Sequence, residues 1–287
     1  MQNRQVVVEK LPNEKLLCDN FKVRMGSMPK LSSGQVLVRT IAFAITAGAR
    51  AGLQGSASYA GVAKTDVVMR GTGVGEVIAS TNAHIPVGSK VLGPTGWQEY
   101  AALNTELLTL IPESCDPLKY IGPLGINGLA AYFGLLKAGR PIIGETVLVS
   151  SAAGSVGHFV GQMAKIIGCK VVGVTGGDSK GERLINELGF DAAVNYKSAN
   201  FRKDLKLATP NGVDVYFDNT GGNILGSALF RLNVGGRIAC CGVVSQYDTS
   251  SPDPGPRGIP GLLVNKRITM QGFLVFDYAD EYQTARD

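Results

Sequence analysis

The chain has 287 residues, 45% of them hydrophobic and 18% charged, and carries a net charge of +5. That balance supports one large core or two ordinary ones and excludes a disordered chain. The charge is spread along the sequence, so no Lys/Arg block suggests nucleic acid, and the polar start MQNRQVVVEK and short apolar runs predict neither signal peptide nor membrane span. Five scattered cysteines give no disulfide framework and point to a reducing cytoplasm.

The first third reads as short strands separated by Gly and Pro. VVVEK, FKVRMGSM, GQVLVRTIAFAI, GTGVGEVIAS, GSKVLG and WQEYAAL have strand-like apolar spacing. They predict a closed or nearly closed β-barrel. The pattern changes near residue 118. IGPLGINGLAAYFGLLKAG is helical and ends at Gly139. Strands and helices then alternate: TVLVSS, a helix from Val156 to Gly168, KVVGVT, SKGERLINELG, DAAVNY, FRKDLKLATP and GVDVYFDNT. GGNILGSALFRLNVGG predicts a helix closed by glycine, and RIACCGVV a strand. The proline-rich stretch SSPDPGPRGIPG predicts a loop, and KRITMQGFLVF a sixth strand. Such alternation predicts an α/β doubly wound parallel sheet.

The most informative stretch is TVLVSSAAGSVG at 146–157. A buried strand, a glycine turn, a helix and a second strand follow within about thirty residues, the context a phosphate-binding turn needs. The turn is AAGSVG rather than GxGxxG, so it also reads as ordinary punctuation between strand and helix. The second strand ends in Gly176-Gly177 with no acid at its tip, where an NAD site usually carries one. Lys180 is placed to meet a 2′-phosphate or to be a solvated first-turn residue, and Asp178 keeps NAD open. Tyr196 ends the third strand and can add a hydrogen bond. Asn219 and Tyr247 follow the carboxyl ends of the fourth and fifth strands, where open α/β sheets bind ligands. A phenol there is protonated at neutral pH and can donate to a carbonyl, although turn asparagines and loop tyrosines also simply pack. His84 and His158 have no Cys or His partner at metal spacing, there is no CxxC, and no GxSxG surrounds a serine. Cys240 and Cys241 sit in an apolar strand as expected buried thiols.

On these residues the chain resembles the zinc-independent medium-chain dehydrogenase/reductases. Within them it is most similar to the prostaglandin reductase (leukotriene B4 12-hydroxydehydrogenase) group, with bacterial curcumin reductases and plant NADPH double-bond reductases. GWQEYA at 96–101, GLAAYFGLL at 128–136, AAGSVGHFVGQMAKIIGCKVVG at 152–173, LGFDAAVNYK at 188–197 and VYFDNTGG at 215–222 carry the resemblance. It implies a GroES-like β-barrel domain over 1–118 and an NADP-binding Rossmann domain over 119–287. Gly154, Ser155, Val156 and Gly157 would hold the pyrophosphate of NADP(H), and Lys180 and Tyr196 the 2′-phosphate. Asn219, Cys241, Gly242 and Val243 would lie against the cofactor, as would Phe273, Leu274 and Val275. Tyr247 would stand near the nicotinamide and the substrate carbonyl, and Tyr59 near the pocket. ITAGAR and RGTGVGE occupy the places of the Cys and His-Glu zinc ligands of alcohol dehydrogenases. Where the group commonly has DPYMR this chain has TAGAR, so Gly48 replaces a tyrosine. The family pattern also runs on past Asp287, with a last helix, returning barrel strands and a further asparagine.

The implied activity is NADPH-dependent reduction of the C=C bond of an α,β-unsaturated ketone or aldehyde by a cytoplasmic homodimer paired through the sixth strand. Quinone reduction on the same scaffold, or NADP binding without turnover, remain the alternatives.

Overall fold

In the computed structural model, which describes residues 2–54, 61–249, 251 and 255–287, the chain forms two units. One is Met1–Gly125 with Tyr247–Ser250, and the other is Ile126–Gln246 with Ser251–Asp287. The first unit is β-rich. Strands β1 (Gln2–Val8) and β2 (Phe21–Ser27) pair antiparallel. A five-stranded antiparallel sheet contains β3 (Gln35–Phe43), β4 (Gly73–Ser80), β5 (Lys90–Gly93), β6 (Tyr100–Asn104) and β7 (Thr109–Ile111), in the order β6-β3-β4-β5-β7. Side chains alternate along a strand, so Val36 and Val38 of β3 meet Val77 and Val91 in the core. Bridges from Gln5 to Gln98 and from Val7 to Val68 tie β1 to the rest.

Helix α1 (Ala47–Gln54) interrupts this β-rich third, which reads as all strand in sequence. AGARAGLQ offers only a narrow apolar face. The helix is held by packing of Leu53 and Ala49 against Val8 and Met69, since short helices depend on tertiary contacts.

The second unit alternates helix and strand. Its elements are α2 (Ile126–Phe133), β8 (Thr146–Val149), α3 (Gly157–Ile167), β9 (Lys170–Thr175), α4 (Asp178–Asn186), β10 (Ala192–Asn195), α5 (Phe201–Ala208), β11 (Val213–Asp218), α6 (Gly222–Arg231), β12 (Leu232–Cys240), α7 (Ile259–Lys266), β13 (Thr269–Gly272) and α8 (Tyr282–Arg286). The six strands pair in parallel in the order β10-β9-β8-β11-β12-β13. The order reverses between β8 and β11, which opens a crevice at their carboxyl ends. Both sheet faces are covered. Val147, Val149 and Phe217 pack with Val160 and Ala164 of α3, while Leu148, Val172 and Tyr216 pack with Leu225 and Leu229 of α6. Double coverage explains why every residue of β8 is buried and why its sequence does not alternate.

In the second unit two elements depart from the sequence expectation. The helix expected over 221–236 stops at Arg231 and strand β12 begins at once. Leu232 pairs with Val213, then the register slips so that Arg237 pairs with Val215. Gly235, at φ 78°, serves this irregularity rather than a helix end. Helix α7 also fills part of the expected loop and takes Lys266 from the expected strand. The Lys266 ammonium donates to the carbonyls of Leu232 (2.7 Å) and Phe230 (3.0 Å), which fixes the helix end.

Candidate functional site

Strand β8 ends at Val149, and the chain turns through Ser151, whose φ is 48°. The Gly154 N–H donates to the Ser151 carbonyl (2.9 Å), and α3 starts at Gly157. A Cβ on Gly154 would stand 3.0 Å from the Ser151 oxygen. One on Gly157 would collide with that same carbonyl and stand 2.8 Å from Ala152 Cα. Only glycine lets the helix start this close to the turn. The N–H groups of a first helical turn lack intrahelical partners and carry partial positive charge. His158 Nδ1 lies 2.7 Å from the Gly154 carbonyl, so the ring is engaged locally.

This turn forms one wall of a groove of about 990 Å³ at the carboxyl edge of the sheet. Gly154, Gly176, Gly221, Gly222 and Ser245 line it together. Its rim carries four cations, Lys180, Lys197, Arg202 and Lys203, and no described lining residue is acidic. Tyr196 is 44% exposed and lies over Gly176, where a Cβ would stand 3.1 Å from the ring. Asp178 is taken: its carboxylate accepts from the Asn195 amide at 2.9 Å. The acid that kept NAD open does not line the groove, whereas Lys180 lines it and is exposed. The groove fits a diphosphate with an additional phosphate at its cationic end.

Asn219 directly follows β11 and is 7% exposed. Its amide donates to the Ser150 carbonyl (2.7 Å), and its N–H donates to Ser150 Oγ (2.9 Å), so the carboxamide is fixed in orientation. Beneath it, Asp218 accepts from the Tyr216 hydroxyl (2.8 Å), the Thr220 N–H (2.9 Å) and the Gly221 N–H (2.8 Å). Burial, followed by the nearby Asp218 charge, raises the Tyr216 phenol well above its ordinary value. Asp218 therefore holds the 218–221 turn. Gly221 and Gly222, at φ 67° and 55°, complete it in a conformation that favours glycine.

The segment after β12 returns to this turn. The N–H groups of Cys241 and Gly242 donate to the Asp218 carbonyl, and those of Val244 and Ser245 donate to Asn219 and Thr220. Burial and then Asp218 push the thiols of Cys240 and Cys241 up to about 12, so both are inert. Ser155, Val156, Gly157, Asn219, Cys241, Gly242 and Val243 border the groove in sequence without lining it, whereas Gly154, Lys180 and Tyr196 line it. Phe273 packs against Phe217 at 6.1 Å between ring centres. Val275 is buried with Leu129 and Phe133, and Leu274 is 38% exposed. Tyr247 is half-buried and belongs to the first unit. Tyr59 lies outside the described residues. Sequence reading missed Lys197, Arg202 and Lys203. Their clustering after β10 was the available signal, but as ordinary helix-start cations they carry no motif.

In the first unit, Gly48 lines an apolar cavity of about 70 Å³ with Val8, Gly52, Leu53 and Met69. Among the described residues no group of three or more His, Cys, Asp or Glu is placed to hold a metal ion.

A family model described as "Zinc-binding dehydrogenase" matches residues 155–287, and one described as "N-terminal domain of oxidoreductase" matches 4–111. The NADPH-dependent curcumin reductase of Escherichia coli is 36% identical, over 96% of this chain and 81% of its own length. The NADP-dependent 2-alkenal reductase of Nicotiana tabacum is 43% identical, over 74% of this chain and 62% of its own length. The crystal structure of CurA from Vibrio vulnificus in complex with NADPH superposes with a TM-score of 0.93 at 36% identity, over 99% of this chain and 86% of that one. The β-rich first unit and parallel six-stranded second unit are the GroES-like and Rossmann folds of that architecture. The chain belongs to the zinc-independent medium-chain dehydrogenase/reductase family, in its alkenal reductase group.

Proposed function

We propose that the protein reduces the C=C bond of α,β-unsaturated aldehydes and ketones with NADPH. The observation that carries this reading is the acid-free, four-cation groove behind the Gly154–Gly157 turn. Residues 1–118 serve the substrate and residues 119–287 the cofactor. The Gly154, Ser155, Val156 and Gly157 backbone grips the pyrophosphate, and Lys180 and Tyr196 take the 2′-phosphate. Asn219, the Cys241–Val243 segment and Phe273–Val275 lie against the cofactor. When bound, NADPH supplies the hydride that the β-carbon accepts. Tyr247 donates its hydroxyl hydrogen bond to the substrate carbonyl as negative charge collects on that oxygen. A proton from water completes the α-carbon. The relatives named for curcumin and 2-alkenals support this substrate class. Five free thiols fit a cytoplasmic setting. In the described residues no helix is long and apolar enough to cross a membrane. Strand β13 ends the sheet order and is the edge through which a homodimer would pair.

The test is NADPH consumption by the purified chain against panels of enones, enals and quinones. The reading expects turnover with the enones and enals and loss of the alkene in the product. NADPH binding without oxidation of any panel member would overturn it, and turnover confined to quinones would reassign the substrate.

A further inference from the structure

Tyr247 lies between two anchored stretches. Before it, the N–H groups of Val244 and Ser245 are held by the Asn219 and Thr220 carbonyls, and the Gln246 N–H donates to the Val243 carbonyl (2.8 Å). After it, the chain is fastened to α1 of the first unit. Arg50 donates to Asp248 Oδ1 through both Nε (3.0 Å) and Nη2 (2.7 Å). The same Oδ1 accepts from the Leu16 N–H at 3.3 Å, and Arg50 Nη2 also reaches the Glu14 carbonyl at 2.6 Å. One turn further along α1, the Gln54 amide donates to the Thr249 carbonyl (3.1 Å).

These contacts are unlike an ordinary surface ion pair. The Arg50 side chain is only 11% exposed, although that of Asp248 is 51% exposed. A buried guanidinium costs desolvation that its hydrogen bonds must offset; Nε and Nη2 are bonded, while Nη1 is buried with no hydrogen-bond partner among the described residues. Asp248 also adopts φ 61°, a left-handed conformation that Asp and Asn tolerate better than other non-glycine residues. The conformation reverses the chain directly after Tyr247. A fork fixed on a helix thus meets a carboxylate fixed by its backbone, one residue from the proposed hydrogen-bond donor.

We infer that Arg50 and Asp248 form a positioning clamp that sets the Tyr247 hydroxyl for the substrate carbonyl. This rests on the reading of Tyr247 given under Proposed function. The pair touches neither substrate nor cofactor and acts through the tyrosine. Its effect therefore belongs in kcat and not in NADPH affinity.

The experiment compares the full chain with Asp248→Asn, Tyr247→Phe and the double variant, using NADPH and the enone benzylideneacetone. Asn retains the left-handed backbone but loses the charge, so the variant is expected to fold. NADPH titration and thermal melting check this for each protein. A small displacement of a reacting group lowers rate by one to two orders of magnitude. Asp248→Asn should therefore lower kcat about tenfold with NADPH affinity unchanged. In the Tyr247→Phe background, which lacks the hydroxyl to be aimed, the same substitution should change kcat less than about twofold. Arg50→Lys keeps the charge but cannot make the two-pronged contact, and should repeat the loss without adding to it. An equal fall in both backgrounds would make Asp248 merely structural and overturn the clamp. A slow Tyr247→Phe with a fully active Asp248→Asn would also overturn the clamp while leaving the tyrosine's role intact. A fully active Tyr247→Phe would remove the tyrosine reading itself, and the clamp with it.

Discussion

Replacing Lys180 by alanine should separate the two nicotinamide coenzymes. Lys180, in the first turn of α4, lines the groove together with Tyr196 and Lys197. The only acid in that turn, Asp178, accepts from the Asn195 amide and does not line the groove. No acidic residue lines the groove, so a 2′-phosphate bound there would meet Lys180, Lys197, Arg202 and Lys203. A hydrogen bond between charged partners contributes about 1.5–3 kcal/mol, and an exposed site takes the lower end. About 1.4 kcal/mol is a tenfold change in affinity. Lys180→Ala should therefore weaken NADPH about tenfold. NADH has no such phosphate, so its affinity should change less than about twofold. Isothermal titration of both coenzymes at low and high salt measures this, and the NADPH difference should shrink as salt screens the pair. An equal loss for both coenzymes would refute the 2′-phosphate assignment. An NADPH affinity untouched by the substitution would do the same.

Gly157→Ala should destabilise the second unit by about 2 kcal/mol, because the added methyl meets packed backbone, and should abolish NADPH binding. Unchanged melting and binding would show that the turn is not closed as described. Alkylation by iodoacetamide at neutral pH, followed by peptide mass mapping, should modify exposed Cys18 while sparing Cys240 and Cys241, whose thiols are pushed up to about 12. Labelling of Cys241 as fast as Cys18 would contradict its burial. The hydrogen bonds from Arg50 hold the Asp248 carboxyl below its ordinary value. A depressed acid stabilises the fold above its unfolded pKa, about 3.9, and that contribution fades as pH falls through the folded value. Asp248→Asn should thus lower the melting temperature at neutral pH, with the gap closing below about pH 4. A gap that persists in acid would mean that the charge is not what matters.

Local chemistry made much of this architecture legible. Continuous apolar runs such as TVLV mark strands buried on both faces, and AAGSVG between strand and helix marks the phosphate turn. Gly168, at φ 94°, closes α3 where the periodicity stops. Failures came where a distant partner overrode a local signal. Gly235 looked like a helix end but serves the irregular pairing of β12 with β11. Helix α1 has too few apolar residues to announce itself and exists because Val8 and Met69 receive Leu53. Proline and glycine disguised α7, which Lys266 secures by donating to the carbonyls of Phe230 and Leu232.

The site divides along the same line. Gly154, Lys180 and Tyr196 could be placed by counting from strand ends, because a strand's carboxyl end and a helix's first turn are features of the local chain. That Asp178 turns to Asn195 and stays out of the groove lining, that Asn219 is locked onto Ser150, and that Arg202 and Lys203 join the lining are facts of three-dimensional proximity. The tie between Arg50 and Asp248 belongs to this second kind. The two residues are 198 positions apart, and nothing in either neighbourhood names the other. Sequence by itself determined which backbone stretches can cradle a phosphate, since that depends on residue type and order. Tertiary structure alone decided which charges remain free to meet a ligand, since a charge is available only when folding has left it without a nearer partner.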